Sequence, residues 1–226
     1  AWIAAGITWF TLVASAGYRS APSVLIVPLE DSFGWSRSQI SLAISINILL
    51  YGLTAPFAAA LMERFTVRKV VMSALSAVSL GAFLTIFMNK PWHLILLWGV
   101  VVGIGTGSMA LVFAATIASR WFMQRRGLVV GALTAAAATG QLIFLPLLSK
   151  LAMDHGWKSV SITISASAAI VIPLIWWGLN EQPQDIGHKP YGAPADWVAP
   201  EKIQGRAAKN AINALKAGSK RKDFWL

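Results

Sequence analysis

The amino-acid sequence predicts an all-α polytopic membrane protein built from six transmembrane helices. Hydrophobic residues make up 56% of the 226 residues and charged residues only 12%, whereas soluble globular proteins contain about 25% charged residues. The few charges are clustered and leave long uncharged segments between them, and about 20 consecutive apolar residues cross a bilayer as a helix. The sequence has no cysteine, which excludes disulfides, thiolate metal ligands and cysteine nucleophiles within it.

Six segments have the length and the apolar character of a spanning helix. Glycine, proline, asparagine or charged residues, which end helices, stand at their boundaries. The predicted spans cover about residues 2–29, 40–62, 70–88, 92–119, 128–148 and 160–179. We expect one six-helix bundle over residues 1–180, followed at 181–219 by a cytoplasmic central loop with an amphipathic helix. Residues 220–226 then begin a seventh span.

Lysine and arginine are distributed unequally between the two sides of these spans. Fourteen lie on the side that holds the loop between the second and third spans, four lie on the opposite side, and Arg19 lies inside a span. Because lysines and arginines of short loops stay in the cytoplasm, we expect a multi-pass protein of the cell (inner) membrane with both ends of this segment cytoplasmic. The net charge of +10 then reflects topology and contact with anionic lipids, not binding to nucleic acid.

The loop between the second and third spans carries the most specific motif. Residues 59–70 read AALMERFTVRKV, which resembles the G-x-L-x-D-R-x-G-x-R-x-V signature of the major facilitator superfamily. Ala59, Glu63 and Thr66 replace the family's Gly, Asp and Gly, while Arg64 and Arg68 match. In the family, the charges of this loop bond to neighbouring helix ends and to the other half of the transporter. The resemblance therefore implies a conformational role for Glu63, Arg64 and Arg68.

Four further segments resemble the monocarboxylate and oxalate/formate branch of the same family. They read PLEDSFGWSR at 28–37, RWFMQRRG at 120–127, QPQDIG at 182–187 and DFWL at 223–226. The resemblance covers the whole chain and implies the amino-terminal half of a twelve-helix major facilitator fold, so we expect a protein of about twice this length. The fourth-helix Arg and the fifth-helix Gly-Pro motif of drug/proton antiporters are absent, which argues against that branch.

Arg19 most strongly indicates a binding site, because a guanidinium inside a span costs about 2.5–3.5 kcal/mol on insertion scales. No Asp or Glu lies inside a predicted span to neutralise it. Arginine presents a planar fork of donors that fits a carboxylate, which favours an anchor for an anionic substrate. The alternative is an arginine that reaches the outer surface because the span ends near Ser23. Its neighbour Tyr18 is a second candidate for substrate binding, or else an interface aromatic.

Polar residues form stripes on the second and fifth spans. Asn47, Tyr51 and Thr54 are spaced i, i+4 and i+7, which places them on one helix face, and Gln141 forms a similar stripe with Thr134. Such side chains must face protein or water. We predict that Asn47, Tyr51 and Gln141 bind substrate, and ordinary interhelix hydrogen bonds are the alternative.

Glycines recur at intervals of four residues on the fourth span, at Gly99, Gly103 and Gly107, and on the fifth, at Gly127 and Gly131. Small residues at this spacing let helices approach closely. The pattern predicts that both spans pack against neighbours through these faces.

Together with the resemblance, these features predict a secondary active transporter that moves a small organic anion by alternating access. The resemblance implies a monocarboxylate-like substrate and a partner half of six more helices in the same lipid bilayer. If a proton (H+) is co-transported, its carrier is not an acidic residue of this half. The sequence predicts no cofactor, no metal site and no nucleic-acid partner.

Two other classes of function are alternatives to transport. One is a membrane protein with a structural or receptor role and no transport, against which the polar stripes and Arg19 argue. The other is an intramembrane serine protease, which needs Ser and His at membrane depth. His93, His155 and His188 all fall in loops, so the sequence does not predict an enzyme.

Overall fold

The computed structural model describes residues 1–109, 111–194 and 196–198, with only the backbone of Leu111. Within them, six helices are long and apolar enough to cross a membrane, which confirms the predicted fold class. We label them α1 Trp2–Phe33, α2 Arg37–Arg64, α3 Val67–Phe87, α4 Pro91–Trp121, α5 Arg126–His155 and α6 Trp157–Gly178. The last turn of α3, Thr85–Phe87, is 3-10 helical, and a short 3-10 helix Pro183–Ile186 follows α6. Within the predicted central loop, the amphipathic helix (about residues 201–219) lies outside the described residues, as does the predicted start of a seventh span at 220–226.

The helices extend past the apolar segments because polar residues cap their ends. Gly34 ends α1 with a positive φ of 66° while its N–H donates to Glu30 O. Ser36 begins α2 with a capping box, in which its hydroxyl accepts from the N–H of Gln39 and its own N–H donates to Gln39 Oε1. Such caps satisfy backbone groups that a helix end otherwise leaves unpaired. Hydropathy marks the hydrocarbon-crossing part of each helix, and the caps set its true ends.

Helix α1 lies at the centre of the bundle. It packs along most of α5 and also against α6, while α3 packs between α6 and α4, and α2 packs on α4. By contrast, α2 and α5 turn one side outward and expose large apolar side chains, among them Leu49, Phe57 and Leu142. The most enclosed helix therefore carries Arg19, and the two least enclosed helices flank it.

Helix α4 is not a uniform α-helix. It is α-helical at Pro91–Leu94, π-helical at Ile95–Val102, and α-helical again at Gly103–Ser108 and Leu111–Trp121. An α-helix turns about 100° per residue, so a four-residue repeat drifts by about 40° per interval. The wider π-turn, with hydrogen bonds that span five residues, offsets this drift. The π-helical segment thereby helps to hold the glycine stripe of α4 against α2.

The predicted glycine packing is confirmed for α4. A Cβ at Gly99 would lie 3.1 Å from Ala43 O, one at Gly103 3.1 Å from Asn47 Cα, and one at Gly107 2.7 Å from Tyr51 O. All of these contacts are with the backbone of α2, which passes too closely for any side chain.

The same prediction is wrong for α5. A Cβ at Gly127 or Gly131 would meet no atom within 4 Å among the described residues, whereas one at Gly140 would lie 2.4 Å from Val13 O. The close crossing of α1 and α5 is therefore at Gly140. The spacing of Gly127 and Gly131 predicted a packing face wrongly, because both glycines lie on the outward-facing side of α5.

Candidate functional site

A cavity of about 200 Å³ lies where α1, α2, α4 and α5 converge. Leu12, Ser15 and Arg19 line it from α1, Tyr51 from α2, Thr106, Met109 and Ala114 from α4, and Leu133, Thr134 and Ala137 from α5. Drug-sized ligands occupy pockets of about 300–1,000 Å³, so this cavity fits a smaller molecule. Its walls are mainly apolar, and Arg19 is the only charged residue among the described residues that line it.

Arg19 reaches across the cavity from α1 to α2. Its Nη1 donates a long hydrogen bond, 3.4 Å, to Tyr51 Oη, and its guanidinium carbon lies 5.4 Å from the centroid of the Tyr51 ring. A cation over an aromatic face is stabilised by the ring quadrupole, by about 0.5–2 kcal/mol. Tyr51 thus offsets part of the cost of holding an arginine at membrane depth.

No carboxylate among the described residues forms an ion pair with Arg19. The two ion pairs seen there, Glu30–Arg37 and Arg120–Glu181, involve other arginines. A half-buried guanidinium has five N–H donors, and one bond to Tyr51 leaves most of them able to bind another group. The arrangement suits an anion that enters the cavity and takes the remaining donors.

Tyr18 faces away from this cavity. Tyr18 comes one residue before Arg19, so the two side chains differ by about 100° of rotation around α1, and Tyr18 is only 1% exposed. Its hydroxyl lies near Ser167 of α6 but makes no hydrogen bond of normal geometry with any described residue. In this structure Tyr18 is a core residue between α1 and α6, and substrate binding by it stays a prediction.

Asn47 and Gln141 also lie outside the lining of the cavity. Asn47 is buried, and its Nδ2 donates to Trp98 O in the π-helical segment at 2.7 Å. Gln141 is exposed on α5, two turns beyond Thr134. The amide of Asn47 serves the interhelix hydrogen bond that was the alternative to substrate contact. Of the five predicted binding residues, the structure brings Arg19 and Tyr51 together.

Three hydroxyl residues line the cavity without having been predicted as binding residues: Ser15, Thr106 and Thr134. Thr134 had a detectable signal, since its spacing from Gln141 marks a polar face of α5. Ser15 had one too, because it lies four residues before Arg19 and so shares its helix face. Thr106 had none, because the π-helical segment before it changes the rotation of α4.

At the end of the bundle that holds the α2–α3 loop, which we call the basic end, Arg68 bonds to the end of α6. Its Nε donates to Leu179 O at 2.6 Å and its Nη2 to Asn180 Oδ1 at 3.0 Å. Glu181 accepts the N–H of Val67 at 2.8 Å and forms an ion pair with Arg120 of α4. The start of α3 and the ends of α4 and α6 are thereby joined.

The other two motif residues of the loop point outward. Glu63 and Arg64 are exposed, and the Arg64 guanidinium lies 5.3 Å from the ring centroid of Phe65. Neither forms an ion pair with a described residue. The motif thus divides into Arg68, which bonds within the bundle, and Glu63 and Arg64, whose charges remain at the surface. Glu181 is not among the predicted site residues, although the sequence already places this acid at the end of the sixth span, on the side where arginines and lysines concentrate.

The chain after α6 runs back across the basic end. The N–H of Tyr191 donates to Trp121 O at 2.8 Å, and its carbonyl accepts from the N–H of Met123 at 2.9 Å. The rings of Trp2, Phe122 and Tyr191 pack together with centroids 5.2–5.8 Å apart. The start of α1, the end of α4 and the segment after α6 form one unit here.

We expect Glu181→Gln to lower the stability of the purified protein by about 1–3 kcal/mol, because it removes a charged acceptor from a guanidinium and a backbone N–H. The midpoint of thermal unfolding in detergent measures this. Glu30→Gln is the matched control, since it breaks the other ion pair, whose Arg37 side chain is 68% exposed and whose contribution is therefore small. Equal shifts for the two variants would contradict the assignment.

Residues 8–226 match the sequence profile of the Major Facilitator Superfamily. The chain is 31% identical over 180 residues to the "Uncharacterized MFS-type transporter YcxA" of Bacillus subtilis, a match that covers 77% of this chain and 44% of that protein. It is 32% identical over 161 residues to human "Monocarboxylate transporter 7", covering 70% of this chain and 30% of that protein. The chain thus spans less than half the length of these curated relatives.

The fold is similar to that of "the MFS (major facilitator superfamily) proton:xylose symporter XylE" in its solved complex with 6-bromo-6-deoxy-D-glucose. The TM-score is 0.69 at 15% sequence identity, and the match covers 97% of this chain and 54% of that one. At this identity the likeness concerns the fold alone. The profile and the fold match nearly the whole chain, and the two relatives match 77% and 70% of it. The chain is a multi-pass membrane protein and belongs to the major facilitator superfamily.

Proposed function

We propose that the chain is the amino-terminal half of a secondary active transporter that moves a small monocarboxylate-like anion by alternating access. The observation that carries this proposal is the lone guanidinium of Arg19 in a small apolar cavity, with no described carboxylate to neutralise it. A cation held in a low-dielectric site attracts an anion strongly, and the apolar wall suits a short carbon chain. The name of a relative, "Monocarboxylate transporter 7", supports the same substrate class.

The partner in this proposal is a second half of six helices. The outward sides of α2 and α5 expose large apolar residues and flank the cavity, so a second half on these sides would complete its wall. Such halves enclose a midplane site between them. The basic end is cytoplasmic in this proposal, because arginines and lysines concentrate there. Both ends of this segment then lie on the cytoplasmic side of the cell (inner) membrane.

A co-transported proton has no acidic carrier among the described residues that line the cavity. The coupling group would then belong to the second half, or the substrate itself would carry the proton. Symport and antiport are both compatible with this arrangement.

The test is uptake of labelled butanoate by the full-length protein in proteoliposomes, compared with butanamide, which has a similar shape and no charge. We expect accumulation of butanoate and none of butanamide above protein-free vesicles. Equal uptake of the two compounds would reject the anionic substrate, and no uptake of either would favour a structural or receptor role.

A further inference from the structure

The three hydroxyl groups that line the cavity already donate hydrogen bonds to the protein backbone. Ser15 Oγ donates to Leu12 O at 2.9 Å, Thr134 Oγ1 donates to Val130 O at 2.8 Å, and Thr106 Oγ1 lies 2.9 Å from Val102 O and 3.2 Å from Gly103 O. Each acceptor is a backbone carbonyl of the same helix. A hydroxyl has one proton and two lone pairs, so these oxygens can offer the cavity acceptor sites only.

Turning such a hydroxyl toward a ligand has a cost. It breaks a hydrogen bond that contributes about 0.5–1.5 kcal/mol, and the carbonyl left behind has no water to replace the donor in a membrane interior. Thr106 is the most firmly held, because it is 2% exposed and has two carbonyls within range. A ligand is therefore bound best if it donates a hydrogen bond to these hydroxyl oxygens and does not need one from them.

The donors of the cavity come from Arg19 and Tyr51. The guanidinium can only donate, and Tyr51 Oη accepts from Arg19 Nη1, which leaves the phenol proton to be donated onward. The cavity thus combines two adjacent donor groups, suited to a carboxylate, with three acceptor oxygens on α1, α4 and α5.

Resting on the proposed function, we infer that the site prefers anions that also carry a hydroxyl group, which donates to Ser15, Thr106 or Thr134. An analogue with a carbonyl in place of that hydroxyl is disfavoured, since it would place an acceptor against acceptors. An ammonium donor is disfavoured for a different reason. It would lie near the cationic Arg19 with no carboxylate among the described lining residues to compensate.

Uptake of three matched anions by the full-length transporter in proteoliposomes tests this inference: butanoate, 2-hydroxybutanoate and 2-oxobutanoate. All three are ionised at pH 7 and have the same carbon chain. We expect Vmax/KM for 2-hydroxybutanoate to exceed that for 2-oxobutanoate by about tenfold, roughly the effect of one good hydrogen bond. The combined variant Ser15→Ala, Thr106→Val and Thr134→Val should bring this ratio to within about twofold of unity.

Thr139→Val is the matched control. Thr139 lies on α5 and donates to Ala135 O at 3.0 Å, as Thr134 does to its own helix, but it does not line the cavity. The control should keep the tenfold ratio. If the wild-type protein has equal Vmax/KM for the oxo acid and the hydroxy acid, the inference is overturned and the proposed function stays intact. The same holds if the tenfold ratio persists in the combined variant. If no anion is taken up at all, both proposals fail.

Discussion

Replacing Arg19 by Gln or Ala in the full-length protein should abolish uptake of small monocarboxylates, with a fall in initial rate of at least about 100-fold. The expected loss follows from removing a charged hydrogen-bond donor in a low-dielectric cavity, where such groups contribute about 3 kcal/mol or more. Arg19→Lys should retain some uptake, since it keeps the charge but loses the planar fork and the contact with the Tyr51 ring. The measurement is initial uptake of labelled butanoate into proteoliposomes at equal protein content.

Arg37→Gln is the control for a general effect of lost positive charge. Arg37 is largely exposed at the opposite end of α1 and α2 from the basic end, where it pairs with Glu30 at 3.0 Å, and its removal should change uptake little. Unchanged uptake by Arg19→Gln, with normal insertion into the membrane, would refute the role of this residue as the anion anchor. Loss of protein from the membrane would instead indicate that the arginine serves folding.

The sequence was sufficient for the architecture because hydrocarbon imposes a strong and local rule. A backbone that crosses a membrane must satisfy its own hydrogen bonds, so six apolar segments predict six helices before any packing is known. Arg19 was found by the same rule, as a cation where charges are costly. Tyr51 followed from its spacing on α2, which depends only on helix geometry.

The remaining assignments depended on tertiary contacts that no local rule contains. Asn47 lies on the same face as Tyr51, yet its amide donates to Trp98 O in the π-helical segment of α4. A π-helical segment depends on packing between neighbouring helices, and nothing in the local sequence marks it. Gln141 lies on the polar face of α5, but the cavity ends at Ala137. Asn47 and Gln141 were predicted as binding residues from their polar side chains and helix face, whereas the position along the helix axis determines which side chains reach the cavity.

The basic end shows the same limit. Arg68 was singled out through its motif, but its partners Leu179 and Asn180 lie more than 100 residues away along the chain. Charges at a helix end are equally consistent with topology and with specific ion pairs. The Arg120–Glu181 pair could therefore be established only when the ends of α4 and α6 were seen together.

Gly140→Val should disrupt the bundle, because the crossing of α1 and α5 leaves no room for a side chain. A Cβ at Gly140 would lie 2.4 Å from Val13 O and 2.7 Å from Ala16 Cβ. One of these atoms belongs to the backbone, so α1 itself must move, and overpacking of this kind typically costs about 1–3 kcal/mol or more. A loss of one or two kcal/mol changes the ratio of folded to unfolded protein by a factor of about 5–30. The yield of monodisperse protein after solubilisation, measured by size-exclusion chromatography, should fall accordingly.

Gly131→Val makes the same change on the same helix at a position where a Cβ meets no atom within 4 Å among the described residues. It should leave the yield nearly unchanged, so the difference between the two variants isolates the helix crossing from the intrinsic effect of valine in α5. Equal yields would mean that α1 and α5 can separate at little cost. Because Ser15 and Arg19 line the cavity from α1 and Thr134 from α5, that outcome would also remove the structural basis for a preformed anion site.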